Sequence, residues 1–492
     1  MNASLKLITF KNISYNAFSR IVTFVFQVPA NIILARQLTS DDYGIIGFAM
    51  VFINFLIRFN DLGIRSAVIQ KTDLSEKGLY TGFTIKVILG LLIFATAFFI
   101  APVANIFFNN NAVEGVVKLL SLNFIINSFA FLPEIILAKE LNYKKLSLTQ
   151  IVTGVITPIL TVVLALTGFK YWSIVVANVS ATAVSVIFIN ILKPIKIRFI
   201  FERKIALEFL YFGGGLFLTG IIGFVIFNFD NFIIGALKGS EILGYYAIAF
   251  TWGSMVCTIS GSIINSVLFP TFSKMQGDRK KLKKAYLEIM EYTTFIVVFG
   301  NLTLFVISKE FLYIILGKNT DKWLPAIATF RILCVFGISR ALLEPIGSFI
   351  LAIGKINLLL RSNLIVGAIE LSIVYPALKY FGIEGVAIAV TAVYSLQYLI
   401  YFYFFRRELD IGLIDLFKSV KSVIIPALVI LVGFIVFSYI CNECSLLLLF
   451  IKTFLTGVGF FIIHGYITNW KLIKESKSAI VNWRSPVKYL QE

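Results

Sequence analysis

Residues 32–50 read IILARQLTSDDYGIIGFAM, and residues 232–250 read FIIGALKGSEILGYYAIAF. At an offset of 200 without a gap, Ile33 falls on Ile233, Ser40 on Ser240, Asp41 on Glu241, Gly44 on Gly244 and Ala49 on Ala249. Each copy is a short polar corner with a glycine, set between two long apolar runs. A second pair of matches stands at an offset of 214: Ile136-Leu137-Ala138 with Ile350-Leu351-Ala352, and Gly168 with Gly382. Two separate blocks at nearly constant offsets predict that the chain builds one bundle twice.

The material of that bundle follows from composition. Of 492 residues, 59% are hydrophobic and 14% charged, against about a quarter charged in a soluble globule. The mean hydropathy is +0.91. Apolar runs long enough to cross a hydrocarbon core of ~30 Å recur along the chain, and runs of that length favour helices over the alternating strands of a barrel. The expected fold is an all-α polytopic membrane protein. About fourteen spans are placed near 13–35, 43–60, 80–104, 113–137, 148–168, 171–192, 209–236, 243–269, 288–308, 325–352, 357–379, 383–405, 420–440 and 446–466.

Lysine and arginine set the orientation. With the N-terminus in the cytoplasm, segments such as KELNYKKLS, KPIKIRFIFERK and the tail from Lys471 lie inside. Inside loops then hold about 30 basic residues and outside loops about 7, the asymmetry that governs short loops. Both termini are therefore expected in the cytoplasm, which requires an even number of spans. Each repeat has six spans, also even, so the two run the same way through the membrane. They form two parallel six-helix lobes related by a pseudo-twofold axis along the membrane normal. The expected division is 1–208, an N-terminal lobe with its cytoplasmic linker; 209–408, a second lobe; and 409–492, two additional helices and a basic tail.

Several other classes are disfavoured. One histidine and four scattered cysteines offer no metal cluster. Cys441 and Cys444 form a C-x-x-C, which reads as a chance pair in a hairpin loop or as a disulfide on an oxidising face. FGGG at 212–215 lacks the Lys-Ser/Thr of a phosphate loop and reads as close helix packing. The N-terminal stretch runs directly into a full-length span and does not read as a cleavable signal. The net charge of +18 reflects topology and attraction to anionic lipid, not nucleic-acid binding. Residues 277–291 place Leu282, Ala285 and Ile289 on one helical face with lysines opposite, as for an interfacial anchor helix.

Ionisable groups inside spans carry the functional signal. Each costs roughly 2.5–3.5 kcal/mol on insertion scales unless it meets a partner or water. The cations are Arg20, Arg58, Lys86, Lys118, Arg331 and Arg340; the acids are Asp61, Glu134, Asp230, Glu344 and Glu370. Arg58 and Asp61, and Arg340 and Glu344, stand at spacings that meet on one helix face, which suits an ion pair as well as a substrate contact. Lys86 and Lys118 lie near span ends and are expected to snorkel. Pro133-Glu134 and Glu344-Pro345 put a helix bend beside a carboxylate in each half, which reads as a hinge and ion site or as packing alone. Arg20, Arg58, Arg331 and Arg340 are the candidates for a cationic cavity, and Glu134, Asp230, Glu344 and Glu370 for ion coupling or hinging. A cavity richer in cations than acids favours an anionic substrate, because guanidinium binds phosphate through paired hydrogen bonds. Paired bundles that rock against one another are what alternating access requires.

LARQLTSDDYGIIGFAM (34–50), DLGIRSAVIQ (61–70), SVLFPTFSKMQGDRKKLKKAY (266–286) and RILCVFGISRALLEPIGSFILAIGK (331–355) together resemble bacterial polysaccharide flippases of the multidrug/oligosaccharidyl-lipid/polysaccharide superfamily, in their colanic-acid and lipopolysaccharide branch. The likeness spans roughly residues 10–405, with Gly44, Asp61, Gly63 and Pro270 at helix corners. It implies two six-helix lobes, a central cationic cavity and two additional helices in the bacterial inner membrane. It also implies movement of undecaprenyl-diphosphate-linked oligosaccharide from the cytoplasmic to the periplasmic leaflet. Coupling to a proton or sodium gradient, no bound cofactor, and work alongside a polysaccharide polymerase and glycosyltransferases are implied too. Membrane lipid is the other expected partner. The rivals are a peptidoglycan-precursor flippase, a multidrug exporter of the same superfamily, and a non-transporting membrane scaffold. The six span cations argue against an exporter of organic cations.

Overall fold

The first polar corner is a helix start. Thr39 caps helix α2 (Ser40–Asp61): its hydroxyl accepts from the Asp42 backbone N–H at 3.2 Å, while the Asp42 carboxylate takes the Thr39 N–H at 2.9 Å. The reciprocal pair satisfies two backbone donors that a helix start otherwise leaves open. Leu62 and Gly63, both with positive φ, end the helix.

In the computed structural model the described residues are 3–70, 75–108, 112–140, 142–261, 268, 272, 279–316, 323–352, 356–409, 411–440, 446–468 and 470. Among them the bounded elements are all helices. Around α2 stand α1 (Ala3–Gln37), α3 (Ile64–Gln70), α4 (Glu76–Phe108), α5 (Ala112–Ser128), α6 (Phe131–Lys139), α7 (Tyr143–Leu166), α8 (Trp172–Leu192) and α9 (Arg203–Gly253). After them come α10 (Arg279–Val306), α11 (Ser308–Leu316), α12 (Leu324–Ala352), α13 (Ile356–Leu409), α14 (Leu413–Ile440) and α15 (Leu446–Ile467).

Ten helices among the described residues are long and apolar enough to cross a bilayer, and α5 with α6, bent by 48°, makes an eleventh span. Two of the ten contain a break: α9 at Gly239 (φ 84°, ψ 178°) and α13 at Gly382 (φ 64°, ψ −154°). Divided there, and with the shorter apolar helix Ile451–Ile467 included, the helices account for all fourteen expected segments. The outer surface suits lipid: Phe99 is 78% exposed and Phe381 73% exposed, apolar side chains that water would penalise.

The chain divides into two compact units. One comprises 1–249, 315–326 and 363–390; the other comprises 250–314, 327–362 and 391–492. In the first, α1 packs on α7, α7 on α8, α4 on α5, and α5 on both α8 and α2. Small residues let these backbones approach: a Cβ on Gly90 of α4 would stand 2.6 Å from the Phe124 carbonyl oxygen of α5. In the second, α10 packs on α14 and α15, and α14 on α15. Its core includes Leu282, Tyr286 and Met290 of α10 with Phe349, Tyr401 and Leu416.

That core corrects one expectation. The amphipathic stretch expected to lie flat at the interface is the first part of the continuous helix α10. Its fully buried stripe is Leu282, Tyr286 and Met290, and the expected Ala285 and Ile289, partly buried, pack against the same core.

The two expected proline bends also part company. Pro133 has no N–H to offer the carbonyl four residues earlier, and the α5–α6 break falls there, at Phe129 and Ala130. The freed Phe129 carbonyl accepts from Asn190 of α8 at 3.1 Å. Pro345 lies inside α12, which runs unbroken. Cys441, Cys444, Pro270, the tail from Lys471 and the side chain of Asp61 lie outside the described residues.

Gly239 and Gly382 occupy a backbone region that is essentially glycine-only, where another residue costs about 1–3 kcal/mol. Gly382→Ala should therefore lower the apparent unfolding temperature of the detergent-solubilised protein. Gly433→Ala, in a helical position with open space around it, should leave that temperature unchanged or raise it.

Candidate functional site

The two copies of the repeated corner meet. A Cβ built on Gly44 would collide with the carbonyl group of Ser240, and one built on Gly244 would collide with the carbonyl group of Ser40. The contact is reciprocal, backbone against backbone, and only glycine permits it at either position. Around it the Ser240 hydroxyl donates to the Asp41 carboxylate, and the Tyr245 hydroxyl donates to Glu241 at 2.8 Å. Trp323 stands edge-on to both Tyr43 (6.0 Å) and Tyr245 (5.6 Å). Sequence matching finds the pair of corners but cannot show that they touch.

From this corner α2 and the first half of α9 run antiparallel. The Phe48 ring occupies the space left by the missing Cβ of Gly235. Farther along, Phe55 lies 5.5 Å from Phe224, centroid to centroid. Along this seam, beyond Phe48, lies a cleft of about 270 Å³ whose lining includes Val51, Phe55, Phe224 and Phe232.

The expected site residues fall into both units. Arg20 of α1 and Arg58 of α2 are exposed, and neither has an ion pair among the described side chains. Asp230 is 3% exposed and fully engaged: it accepts from the Tyr246 hydroxyl at 2.7 Å, the Asn231 N–H at 2.7 Å and the Asn231 side-chain amide at 3.0 Å. Tyr246 lies beyond the Gly239 break, so Asp230 ties the two halves of α9 together. Glu134 pairs with Arg65 of α3 at 2.7 Å. Glu370 is buried one helical turn from Gly367, whose missing Cβ leaves room for Ile226 of α9.

Arg331, Arg340 and Glu344 belong to the second unit. The Arg331 Nε donates to the Ser308 hydroxyl at 2.6 Å. Arg340 lies 5.9 Å from the centre of the Tyr394 ring, and both it and Glu344 act electrostatically on Cys257. The Lys86 ammonium donates to the Asn60 carbonyl at 2.6 Å, and Lys118 pairs with Glu114 at 2.5 Å. These lysines are satisfied locally.

The structure adds a pair that the survey of span charges lacks. Lys452 of α15 hydrogen-bonds Glu310 of α11, and their side chains are only 9% and 3% exposed. The available signal was a lysine inside the last apolar run; the partner, 142 residues away, has no sequence signature. Removing one member of a buried pair strands the other charge, typically at about 3–5 kcal/mol, whereas replacing both with apolar residues is often neutral. Lys452→Met alone should sharply reduce the folded yield and unfolding temperature. Lys452→Met with Glu310→Met should recover most of both, as measured by fluorescence-detected size exclusion over a temperature series.

Known proteins share this sequence and architecture. The chain is 25% identical over 488 residues to an uncharacterized membrane protein in the cps region of Klebsiella pneumoniae, covering 96% of this chain and 98% of that one. It is 24% identical to the lipopolysaccharide biosynthesis protein WzxC of Escherichia coli K12, over 81% of this chain and 80% of that one. In fold it matches the inward closed conformation of the lipid II flippase MurJ with a TM-score of 0.72 at 14% identity, over 96% of this chain and 100% of that one. The polysaccharide biosynthesis protein family matches residues 33–328, more than half of the chain, and this multi-pass helical membrane protein belongs to that family.

Proposed function

We propose that the protein is a flippase for undecaprenyl-diphosphate-linked oligosaccharide, moving repeat units from the cytoplasmic to the periplasmic leaflet of a bacterial inner membrane for surface-polysaccharide synthesis. The observation that carries this reading is membership of the polysaccharide biosynthesis family by a chain with transporter architecture. Exposed arginines in its apolar helices supply the charge that the head group needs. A diphosphate bearing a sugar chain cannot enter hydrocarbon unaided, while its polyprenyl tail can.

Alternating access is proposed through lobes 1–208 and 209–408, with the termini in the cytoplasm. The repeated corner supports this, because it sets the matching segment of each lobe against the other at one point. Arg20, Arg58, Arg331 and Arg340 are proposed to attract and hold the diphosphate at successive stages. Glu134, Asp230, Glu344 and Glu370 are proposed as the acids among which a proton or sodium ion couples to the cycle.

Arg20→Ala and Arg331→Ala should each lower export of surface polysaccharide while leaving membrane protein abundance at the wild-type level. Immunoblotting with polysaccharide quantification in a flippase-deleted host measures both. Wild-type polysaccharide levels in both variants would remove these arginines from the pathway. Glu344→Gln should change the pH or sodium dependence of export.

A further inference from the structure

We infer that the cleft between α2 and the first half of α9 is the seat of the substrate's polyprenyl chain, with Arg58 at its open end taking the diphosphate. This inference rests on the flippase reading and assigns the lipid portion of the substrate to a specific place.

Gly44, Phe48, Val51, Phe55 and Arg58 of α2 recur at intervals of three or four residues, so they share one helix face. Along that face the side chains pass from none at the corner, through the apolar Phe48, Val51 and Phe55, to a guanidinium. The facing stripe of α9 runs the other way, from Gly235 beside Phe48 to Phe224 beside Phe55. Glycines pinch the two helices together at one end and phenylalanines hold them apart farther along, which makes a wedge.

Its chemistry restricts what fits. Five phenylalanines line it, including Phe52, Phe229 and Phe232, and the sole polar side chain in the lining is Asn228. Sugar hydroxyls buried there would lose their hydrogen bonds to water with almost nothing in return. The volume of about 270 Å³ lies just below the usual range of ligand sites, roughly 300–1,000 Å³, which suits part of a long chain and not a whole molecule. The ring faces offer broad apolar contact to a hydrocarbon chain laid along them.

The exposed Arg58 lies one helical turn beyond Phe55. A guanidinium at the mouth of an apolar wedge complements a lipid whose hydrophobic chain continues into a dianionic or trianionic head, because it binds phosphate oxygens in pairs. Asn228 offers an additional amide inside the lining. The wedge therefore reads chain and charge at once.

The test uses the full-length protein in phosphatidylcholine nanodiscs, with undecaprenyl diphosphate carrying no sugar as the probe and undecaprenol as its uncharged counterpart. Val51→Trp fills the wedge, and Phe55→Leu with Phe229→Leu removes two rings while keeping the site apolar. Each should weaken undecaprenyl diphosphate by about tenfold, on the scale of lost aromatic contacts. Arg58→Gln should weaken undecaprenyl diphosphate but leave undecaprenol unchanged. Phosphatidylglycerol, as the competing bilayer lipid, should not displace the probe. Wild-type affinity in the properly folded double-leucine variant, or displacement by phosphatidylglycerol at equal concentration, would overturn the assignment. Failure of the wild-type protein to bind undecaprenyl diphosphate at all would instead bring down the flippase reading itself.

Discussion

The reciprocal contact of Gly44 with Ser240 and Gly244 with Ser40 is the constraint on which the first unit depends. In a bilayer, helices gain nothing from leaving water, so they associate by close packing and by satisfying polar groups. Two glycines and two serine carbonyls achieve that at a single point, and the capping box at Thr39 fixes where α2 begins. Once the helix starts are locked together, the paths of α2 and α9 follow from what comes next along each stripe. Phe48 fits against Gly235; Phe55 meets Phe224 and cannot approach as closely. The cleft is thus a consequence of residue size along two paired helices, and Arg58 follows one helical turn beyond Phe55 on the same face of α2.

Much of this was legible in the sequence because bilayers leave few choices. Long apolar runs must be helices, and among the described residues the fourteen expected runs fall on helix. The match of Gly168 with Gly382, weak as a sequence signal, corresponds to positive backbone angles at both positions (87° and 64°). What escaped the sequence was pairing at a distance. Arg65 reaches Glu134 across 69 residues and Lys452 reaches Glu310 across 142, and no local pattern specifies either contact. The start of α10 misled for another reason. A lysine-rich amphipathic face looks the same whether its apolar side meets lipid or a core containing Phe349 and Tyr401.

The charges now divide by role. In the first unit, Asp230 and Glu134 hold helices together: Asp230 across the break in α9, Glu134 to Arg65 near the α5–α6 bend. Arg20 and Arg58, by contrast, are exposed. These contacts constrain the proposed coupling acids. Asp230, engaged by three donors, and Glu134, held by Arg65, must exchange partners to bind a proton or sodium ion, so any coupling there would move a helix junction with it.

The proposed chain-binding wedge acts in a bilayer that already dissolves a polyprenyl tail. Transfer from lipid to an apolar cleft releases little free energy, because both surroundings are hydrocarbon. The gain is positional. With a few isoprene units held against Phe55 and Phe224, the diphosphate is confined within reach of Arg58, and capture of the head becomes an intramolecular event at high effective concentration. Selectivity then comes from matching two features at a fixed separation, an aromatic wedge and a guanidinium, and not from affinity for either one. A bilayer phospholipid presents unbranched acyl chains and a single phosphate, so it matches the guanidinium less well, even though it surrounds the protein in vast excess.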